Sequence, residues 1–104
     1  MRPDLFVHPE ADAEVAAQAD YYVDAGTPDT AYRWVDRVRE AYNRAADFPH
    51  TGVAIDDPRP SLAGWRLMTV RGFSAFAVAY RPRNGGGAEV FHVIPLKSDF
   101  RRRL

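Results

Sequence analysis

The side chains best suited to chemistry lie in the second half of this 104-residue chain. Arg66, Arg71 and Arg81 fall on or beside predicted strands, and a guanidinium group can bind a phosphate through two parallel hydrogen bonds. His92 falls on a predicted strand too, and histidine is the side chain whose ordinary pKa lies closest to neutrality. Because arginine accepts protons poorly at neutral pH, these four residues form an incomplete acid–base set.

Charge separates the two halves of the chain, although the net charge is zero. Residues 1–50 carry five Arg against ten Asp and Glu, and residues 51–104 carry eight Arg and one Lys against four Asp and Glu. This asymmetry predicts one acidic face and one basic face. Two interpretations stay open: the halves attract each other, or the basic half binds an anionic partner such as nucleic acid or an acidic protein.

Several classes of protein are disfavoured by what the chain lacks. There is no cysteine, so neither a disulfide framework nor a Cys-ligated metal is predicted. Asp56 and Asp57 are too few carboxylates for an oxygen-ligand site, and Gly85–Gly87 lack the Lys-Ser/Thr of a phosphate loop. No apolar run approaches the roughly 20 residues of a membrane span. We therefore expect a cytoplasmic protein without metal, cofactor or small-molecule substrate.

The most apolar stretch organises the predicted sheet. Phe73–Tyr80 is flanked by two further predicted strands, Trp65–Val70 and Glu89–Ile94, which makes three antiparallel strands. Alternation places Phe76, Val78 and Tyr80 on one face and Phe73, Ala75, Ala77 and Ala79 on the other. A strand that is apolar on both faces must be covered on both faces.

The first half of the chain supplies cover for one face. Leu5–Val7 predicts a short edge strand, and Pro9 begins a helix that ends at Gly26. Thr27 is the predicted N-cap of a second helix, which Pro49 ends. These elements predict an α+β fold, β-α-α-β-β-β, in a single domain over residues 1–104. A helical hairpin packs on one face of a small, mainly antiparallel sheet.

An ordered set of motifs is similar to one known group of proteins. The chain resembles the ParE/RelE superfamily of bacterial toxins, and the ParE branch fits best. The resemblance is carried by His8-Pro9-Glu10-Ala11 before a helix ending in Tyr21-Tyr22, by Ala46–Gly52, by Trp65–Val70 leading into Phe76–Pro82, and by Val93-Ile94 followed by Asp99-Phe100.

This resemblance implies the toxin of a type II toxin–antitoxin system, neutralised by a ParD-like antitoxin that wraps around it. The antitoxin would cover the second sheet face and grooves beside the helical hairpin. The implied antitoxin contacts are Trp65, Leu67, Phe76, Val78, Tyr80 and Phe91. ParE-like members inhibit DNA gyrase by binding and need no catalytic residues. The implied target contacts, on gyrase or its DNA complex, are the basic C-terminal residues Lys97, Arg101, Arg102 and Arg103.

Three alternatives stay open at this stage. A RelE-like member would be a ribosome-dependent mRNA endonuclease, and its candidate residues here are Arg66, Arg71, Arg81 and His92. A degenerate member would keep the fold and the antitoxin surface without toxicity. The second sheet face, finally, could be covered by a second copy of the chain or by the Val53–Gly64 loop.

Overall fold

The computed structural model describes residues 2–97 and 99–104 and contains a five-stranded sheet with two helices. The helices are α1, Pro9–Asp24, and α2, Pro28–Asp47. The strands are β1, Leu5–Val7; β2, Val53–Ala54; β3, Arg66–Val70; β4, Phe73–Pro82; and β5, Ala88–Pro95. Short 3₁₀ turns lie at Pro60–Leu62 and Phe100–Arg103. No helix in the described ranges is long and apolar enough to cross a membrane.

The strand order is β1-β5-β4-β3-β2. β1 pairs in parallel with β5, and every other pair of neighbours is antiparallel. The predicted α+β architecture is confirmed, with β2 as an added short strand at one edge. Because β1 is only three residues long, it pairs with Ala88–Val90 and leaves the rest of the β5 edge to α1.

The two helices form the predicted antiparallel hairpin. Pro9 and Pro28 each lie in the first turn, where a missing N–H removes no helical hydrogen bond. Gly26 adopts a φ of 81° between the helices, a conformation that glycine reaches without steric cost. Thr27 precedes α2 as predicted but does not cap it, because its hydroxyl donates to Tyr22 O of α1 at 2.8 Å. One threonine therefore ties the two helix ends together.

The main core lies between the hairpin and one face of the sheet. Trp34 is its centre: the indole Nε1–H donates to Val15 O at 3.0 Å, and the ring lies against Phe73 and Phe76. The sequence-based expectation placed Phe73 on the opposite face from Phe76, and it is wrong. The pairing of β3 with β4 shifts register between Thr69 and Val70, which lets the first residue of β4 turn towards the helices.

The second sheet face is covered by the chain itself. Leu62 of the first 3₁₀ turn packs with Trp65 over Ala79. The small Ala79 side chain leaves room for the ring of Phe91 from β5 to stack on Trp65 at a centroid distance of 4.1 Å. Leu104 packs against the same cluster, so the Val53–Gly64 loop and the C-terminus both contribute cover.

Candidate functional site

The four nuclease candidates are not brought together. Arg71 lies at the β3–β4 turn, where its Nη1 is 3.5 Å from Glu40 Oε1 of α2. His92 lies beside α1 at the β5 edge, and Arg66 and Arg81 lie at the end of the sheet where β3 begins and β4 ends. No proton-transfer arrangement of the proposed four residues therefore exists in this structure.

His92 belongs to a cluster of opposite charges that we call the edge cluster, comprising Glu10, Glu14, His92 and Arg103. The His92 Nδ1 atom is 3.1 Å from Glu14 Oε1, and it carries the proton because a carboxylate only accepts. The same oxygen accepts the Val93 N–H at 3.1 Å, and Arg103 Nη2 lies 3.4 Å from the other oxygen. Glu14 thus closes the part of the β5 edge that β1 leaves open.

Arg66 and Arg81 do lie close together, beside residues that were not candidates from the sequence. Both line a cleft of about 530 Å³ at the end of the sheet. We call it the basic cleft; its lining residues are Pro49, His50, Gly64, Arg66, Arg81, Pro82, Arg83, Asn84, Gly85 and Gly86. Three arginines and one histidine thus face a single concave surface whose lining includes no carboxylate. Such a surface has the charge and the donors to bind an anion.

Arg66 is held in the cleft by neutral acceptors. Its Nη1 donates to Gly52 O at 2.7 Å and to His50 O at 3.3 Å. Backbone carbonyls are neutral, so they orient the guanidinium and leave its positive charge intact. A carboxylate in their place would offset that charge. The other three N–H groups of Arg66, on Nε and Nη2, have no protein acceptor within the part of the chain that the structure describes.

Tyr80 holds the loop that presents those carbonyls. Its hydroxyl donates to Pro49 O at 2.7 Å and accepts the Gly52 N–H at 3.1 Å. Burial raises the pKa of Tyr80, which keeps the hydroxyl protonated and able to donate. Gly52 is required here by space: a Cβ at that position would overlap the Tyr80 hydroxyl and lie 2.9 Å from Leu67 O. The buried tyrosine therefore positions Arg66 through the loop.

Arg81 is fixed by a different set of contacts. Its Nη2 donates to Glu89 Oε1 at 2.9 Å, and its Cζ lies 5.4 Å from the centroid of the Phe91 ring. Glu89 also receives a hydrogen bond at 2.7 Å from His8, whose ring stacks on Phe91. Hydrogen bonds from His8 and then Arg81 lower the pKa of the Glu89 carboxyl, so it stays ionised at neutral pH.

The basic C-terminal residues form an ordered turn rather than a detached tail. Arg59 Nη2 donates to Arg101 O at 2.8 Å, and Arg59 is itself paired with Asp57, whose pKa it lowers to about 2 through side-chain and backbone hydrogen bonds. The C-terminal Leu104 packs into the cluster on the second sheet face. Lys97, Arg101 and Arg102 are exposed, whereas Arg103 belongs to the edge cluster.

The residues expected to contact the antitoxin do not share an exposed surface. Val78 and Tyr80 are 0% exposed beneath the helices, and Phe76 packs with them on that face. The other three predicted contacts, Trp65, Leu67 and Phe91, belong to the second-face cluster beneath the 3₁₀ turn.

Exposed apolar side chains occur at several places on the surface, and three of them, Tyr21, Val23 and Tyr32, lie on the helical hairpin. An apolar groove of about 350 Å³ there is lined by Ala19, Val23, Pro28, Ala31, Tyr32 and Val35. Tyr32 is 78% exposed and Val23 is 53% exposed. We call this surface the hairpin groove.

Sequence reasoning missed two residues of the basic cleft, His50 and Arg83. A signal for Arg83 was present, because it follows Arg81 by two residues and same-face spacing on a strand is two. No comparable signal marked His50, since it comes from a loop that is distant in sequence from β4 and is held near β4 by the hydrogen bond from the Tyr80 hydroxyl to Pro49 O.

The fold defines a class: a small α+β domain whose helical hairpin covers one face of a mixed sheet and whose cationic residues form separate surfaces. A family model described as "ParE toxin of type II toxin-antitoxin system, parDE" matches residues 5–100. The chain therefore belongs to the ParE family of toxins from type II toxin–antitoxin systems.

The fold is shared with a solved structure. A solved structure described as "Chromosomal ParDE TA system from P. aeruginosa" is similar, with a TM-score of 0.69 over 90% of this chain and 98% of that chain. The two sequences are 18% identical, so this likeness concerns the fold. No curated protein matches the sequence.

Proposed function

We propose that this protein is a cytoplasmic toxin that inhibits DNA gyrase by binding, and that a ParD-like antitoxin neutralises it. The family match over residues 5–100 carries the proposal. A binding mechanism is supported by the placement of His92, the nuclease candidate best suited to proton transfer. It is engaged by Glu14 at the β5 edge, on a surface separate from Arg66 and Arg81.

The test is a supercoiling assay with purified DNA gyrase, run beside mRNA cleavage on ribosomes. Inhibited supercoiling or trapped cleaved DNA, with intact mRNA, is the expected result. Cleaved mRNA with unaffected gyrase would replace the proposal with the RelE-like nuclease. No response in either assay, from protein whose fold is verified by circular dichroism, would leave the degenerate binding module as the function.

The target contact is proposed to include the exposed C-terminal cations Lys97, Arg101 and Arg102, together with Arg103. An ordered turn supports this, because the packing of Leu104 and the hydrogen bond from Arg59 to Arg101 O hold the backbone that carries Arg101, Arg102 and Arg103. We expect the triple substitution of Arg101, Arg102 and Arg103 by Ala to weaken gyrase inhibition. A triple Ala substitution of the α2 residues Arg33, Arg37 and Arg39 removes the same charge elsewhere and is the control. Equal inhibition by both variants would exclude the C-terminal role.

The antitoxin is proposed to occupy the hairpin groove. The groove is apolar and its Tyr32 and Val23 side chains are exposed, the pattern of a helix-binding surface. We expect Tyr32→Asp to weaken binding of the ParD-like antitoxin by at least about tenfold, since buried aromatic contacts dominate interfaces. Tyr21→Asp is the control: Tyr21 is 63% exposed on α1 but does not line the groove. Similar losses for both variants would exclude the groove as the docking site.

A further inference from the structure

We propose that the basic cleft is a binding site for the phosphodiester backbone of DNA. The ligand chemistry is argued from the cleft itself, and the choice of DNA as its source rests on the proposed action at gyrase, an enzyme that works on DNA. The observations that carry the proposal are the uncompensated charge, the fixed guanidinium groups and the open rim of the cleft.

The first observation is charge. Within the described ranges, neither Arg66 nor Arg83 has a carboxylate within salt-bridge distance. Arg81 is paired with Glu89, which itself is not part of the cleft lining. Arg66 and Arg83 therefore present positive charge to the cleft without a salt-bridged carboxylate, and the interaction of Arg83 with Asp4 acts only at longer range. A phosphodiester, which carries a single negative charge at each phosphate, is the complementary ligand.

The second observation is orientation. Arg66 is held through one terminal nitrogen by two backbone carbonyls, so its remaining N–H groups are already aimed when a ligand arrives. Arg81 is held by Glu89 on one side and by the Phe91 ring on the other. Fixed guanidinium groups lose less side-chain entropy on binding and match the paired oxygens of a phosphate.

The third observation is the shape of the rim. One side of the cleft is the β4–β5 loop, where Gly85 and Gly86 present backbone without side chains. The opposite side is Pro49 and His50 from the loop after α2. A surface open between two loops suits a strand that passes across it, whereas small-molecule sites enclose most of their ligand. The cleft offers phosphate contacts and predicts binding with little sequence preference.

The experiment is fluorescence anisotropy with a short labelled DNA duplex and full-length protein, repeated over a series of salt concentrations. Arg83→Glu is the informative variant, because Arg83 is exposed and makes no salt bridge within the described ranges. We expect a loss of affinity of roughly tenfold or more, and a salt-dependence slope reduced by about one. Circular dichroism and thermal unfolding establish that the variant is folded.

Arg39→Glu on α2 is the matched control, since it changes net charge equally on an exposed helix surface. We expect it to change affinity by no more than about threefold, because salt screens charges beyond a Debye length. Equal losses of DNA affinity for the two variants would overturn the proposal that the cleft binds DNA, because they would reflect only the change in net charge. Wild-type protein that does not bind the duplex even at low salt would overturn it as well.

Two competitors identify the source of the phosphate. Unlabelled duplex should displace the labelled DNA, whereas inorganic phosphate at matched ionic strength should not. Displacement by inorganic phosphate would overturn the DNA assignment in favour of a free anion, and tighter binding of single-stranded RNA would overturn it in favour of RNA. Gyrase inhibition is measured separately. DNA binding that depends on Arg83, without gyrase inhibition, would reject the proposed function and support DNA binding at the cleft. If Arg83→Glu changes neither gyrase inhibition nor DNA binding, the cleft is not the DNA-binding site and the proposed function stands.

Discussion

The basic cleft and the edge cluster each contain nuclease candidates selected from the sequence, yet they differ in what faces those side chains. In the edge cluster, His92 and Arg103 face the Glu14 carboxylate. In the basic cleft, Arg66 faces the carbonyls of His50 and Gly52. A carboxylate neutralises the group that it orients, whereas a carbonyl orients the group and leaves the charge available to a ligand.

This difference assigns the two regions different tasks. Glu14 joins α1, β5 and the C-terminal turn, so the edge cluster stabilises the fold. The network from Tyr80 through the Pro49–Gly52 loop to Arg66 presents charge at the surface, so the basic cleft is suited to binding. Substitution of Glu14 in the edge cluster should change stability without changing DNA affinity. Substitutions in the network that supports Arg66 should change both stability and DNA affinity.

The largest effect is expected for Gly52→Ala in the basic cleft. The new methyl group would overlap the Tyr80 hydroxyl and crowd Leu67 O, so the loop must move. We expect the free energy of unfolding, measured by urea denaturation, to fall by about 3 kcal/mol. DNA affinity should fall too, because Arg66 loses the carbonyls that orient it.

The double variant Gly52→Ala/Tyr80→Phe is the control for that mechanism, because it removes the overlapping oxygen. Its loss of stability should be smaller than the sum of the two single losses, which is the signature of directly contacting residues. Strict additivity of the two losses would contradict overlap with the Tyr80 hydroxyl as their cause, since Tyr80 Cε1 and Leu67 O stay close to the new methyl group when the hydroxyl is removed.

Next in size is Glu14→Ala in the edge cluster. It leaves the Val93 N–H and the His92 Nδ1–H without their acceptor, and we expect the free energy of unfolding to fall by about 2 kcal/mol. DNA affinity should stay within about twofold, since the cleft keeps all of its contacts. Asp20→Ala, an exposed acid on the same helix, should change stability by no more than about 0.5 kcal/mol. A fall in DNA affinity for Glu14→Ala would remove the distinction between the two regions.

Tyr80→Phe tests the support of the cleft without adding bulk. It removes the hydroxyl that donates to Pro49 O and accepts the Gly52 N–H. We expect a loss of about 1 to 1.5 kcal/mol in unfolding free energy and a weaker salt dependence of DNA binding, because the loop no longer fixes Arg66. Tyr32→Phe removes a hydroxyl from an exposed side chain and should change neither quantity. Unchanged salt dependence in Tyr80→Phe would show that Arg66 is oriented without the tyrosine.

The smallest expected effect is the contribution of Glu89 to stability at acid pH. Hydrogen bonds from His8 and Arg81 lower the pKa of this carboxyl below its ordinary value of 4.5. The folded state therefore binds the proton less readily than the unfolded state, so Glu89 stabilises the fold fully above pH 4.5 and loses this contribution as pH falls towards the lowered pKa. Glu89→Gln should cost about 0.5 to 1 kcal/mol near pH 7 and flatten the acid limb of the stability curve.

The readout for Glu89 is urea denaturation between neutral and acid pH, with Asp36→Asn on the exposed side of α2 as the control. Glu89→Gln also frees Arg81 from its counterion, so DNA affinity should rise slightly while stability falls. A loss of DNA affinity in this variant would mean that Glu89 is needed to position Arg81.

The sequence by itself determined the elements and the family. Proline and glycine at the helix ends and the alternation in the strands are local patterns. For that reason the two helices and the β3, β4 and β5 strands were predicted nearly to their observed ends. The ordered motifs that resemble ParE proteins are likewise a property of the chain read in order, and the family match confirms them.

Only the tertiary structure decided which charges are available. Glu14 and His92 are 78 residues apart, and the contact between them follows from the short β1 strand that leaves α1 against the β5 edge. His50 reaches the cleft because one buried hydroxyl, that of Tyr80, holds a loop 31 residues away. The contacts of Glu14 with His92 and of Tyr80 with Pro49 join residues that are far apart in the chain, so no local periodicity of the sequence predicts them.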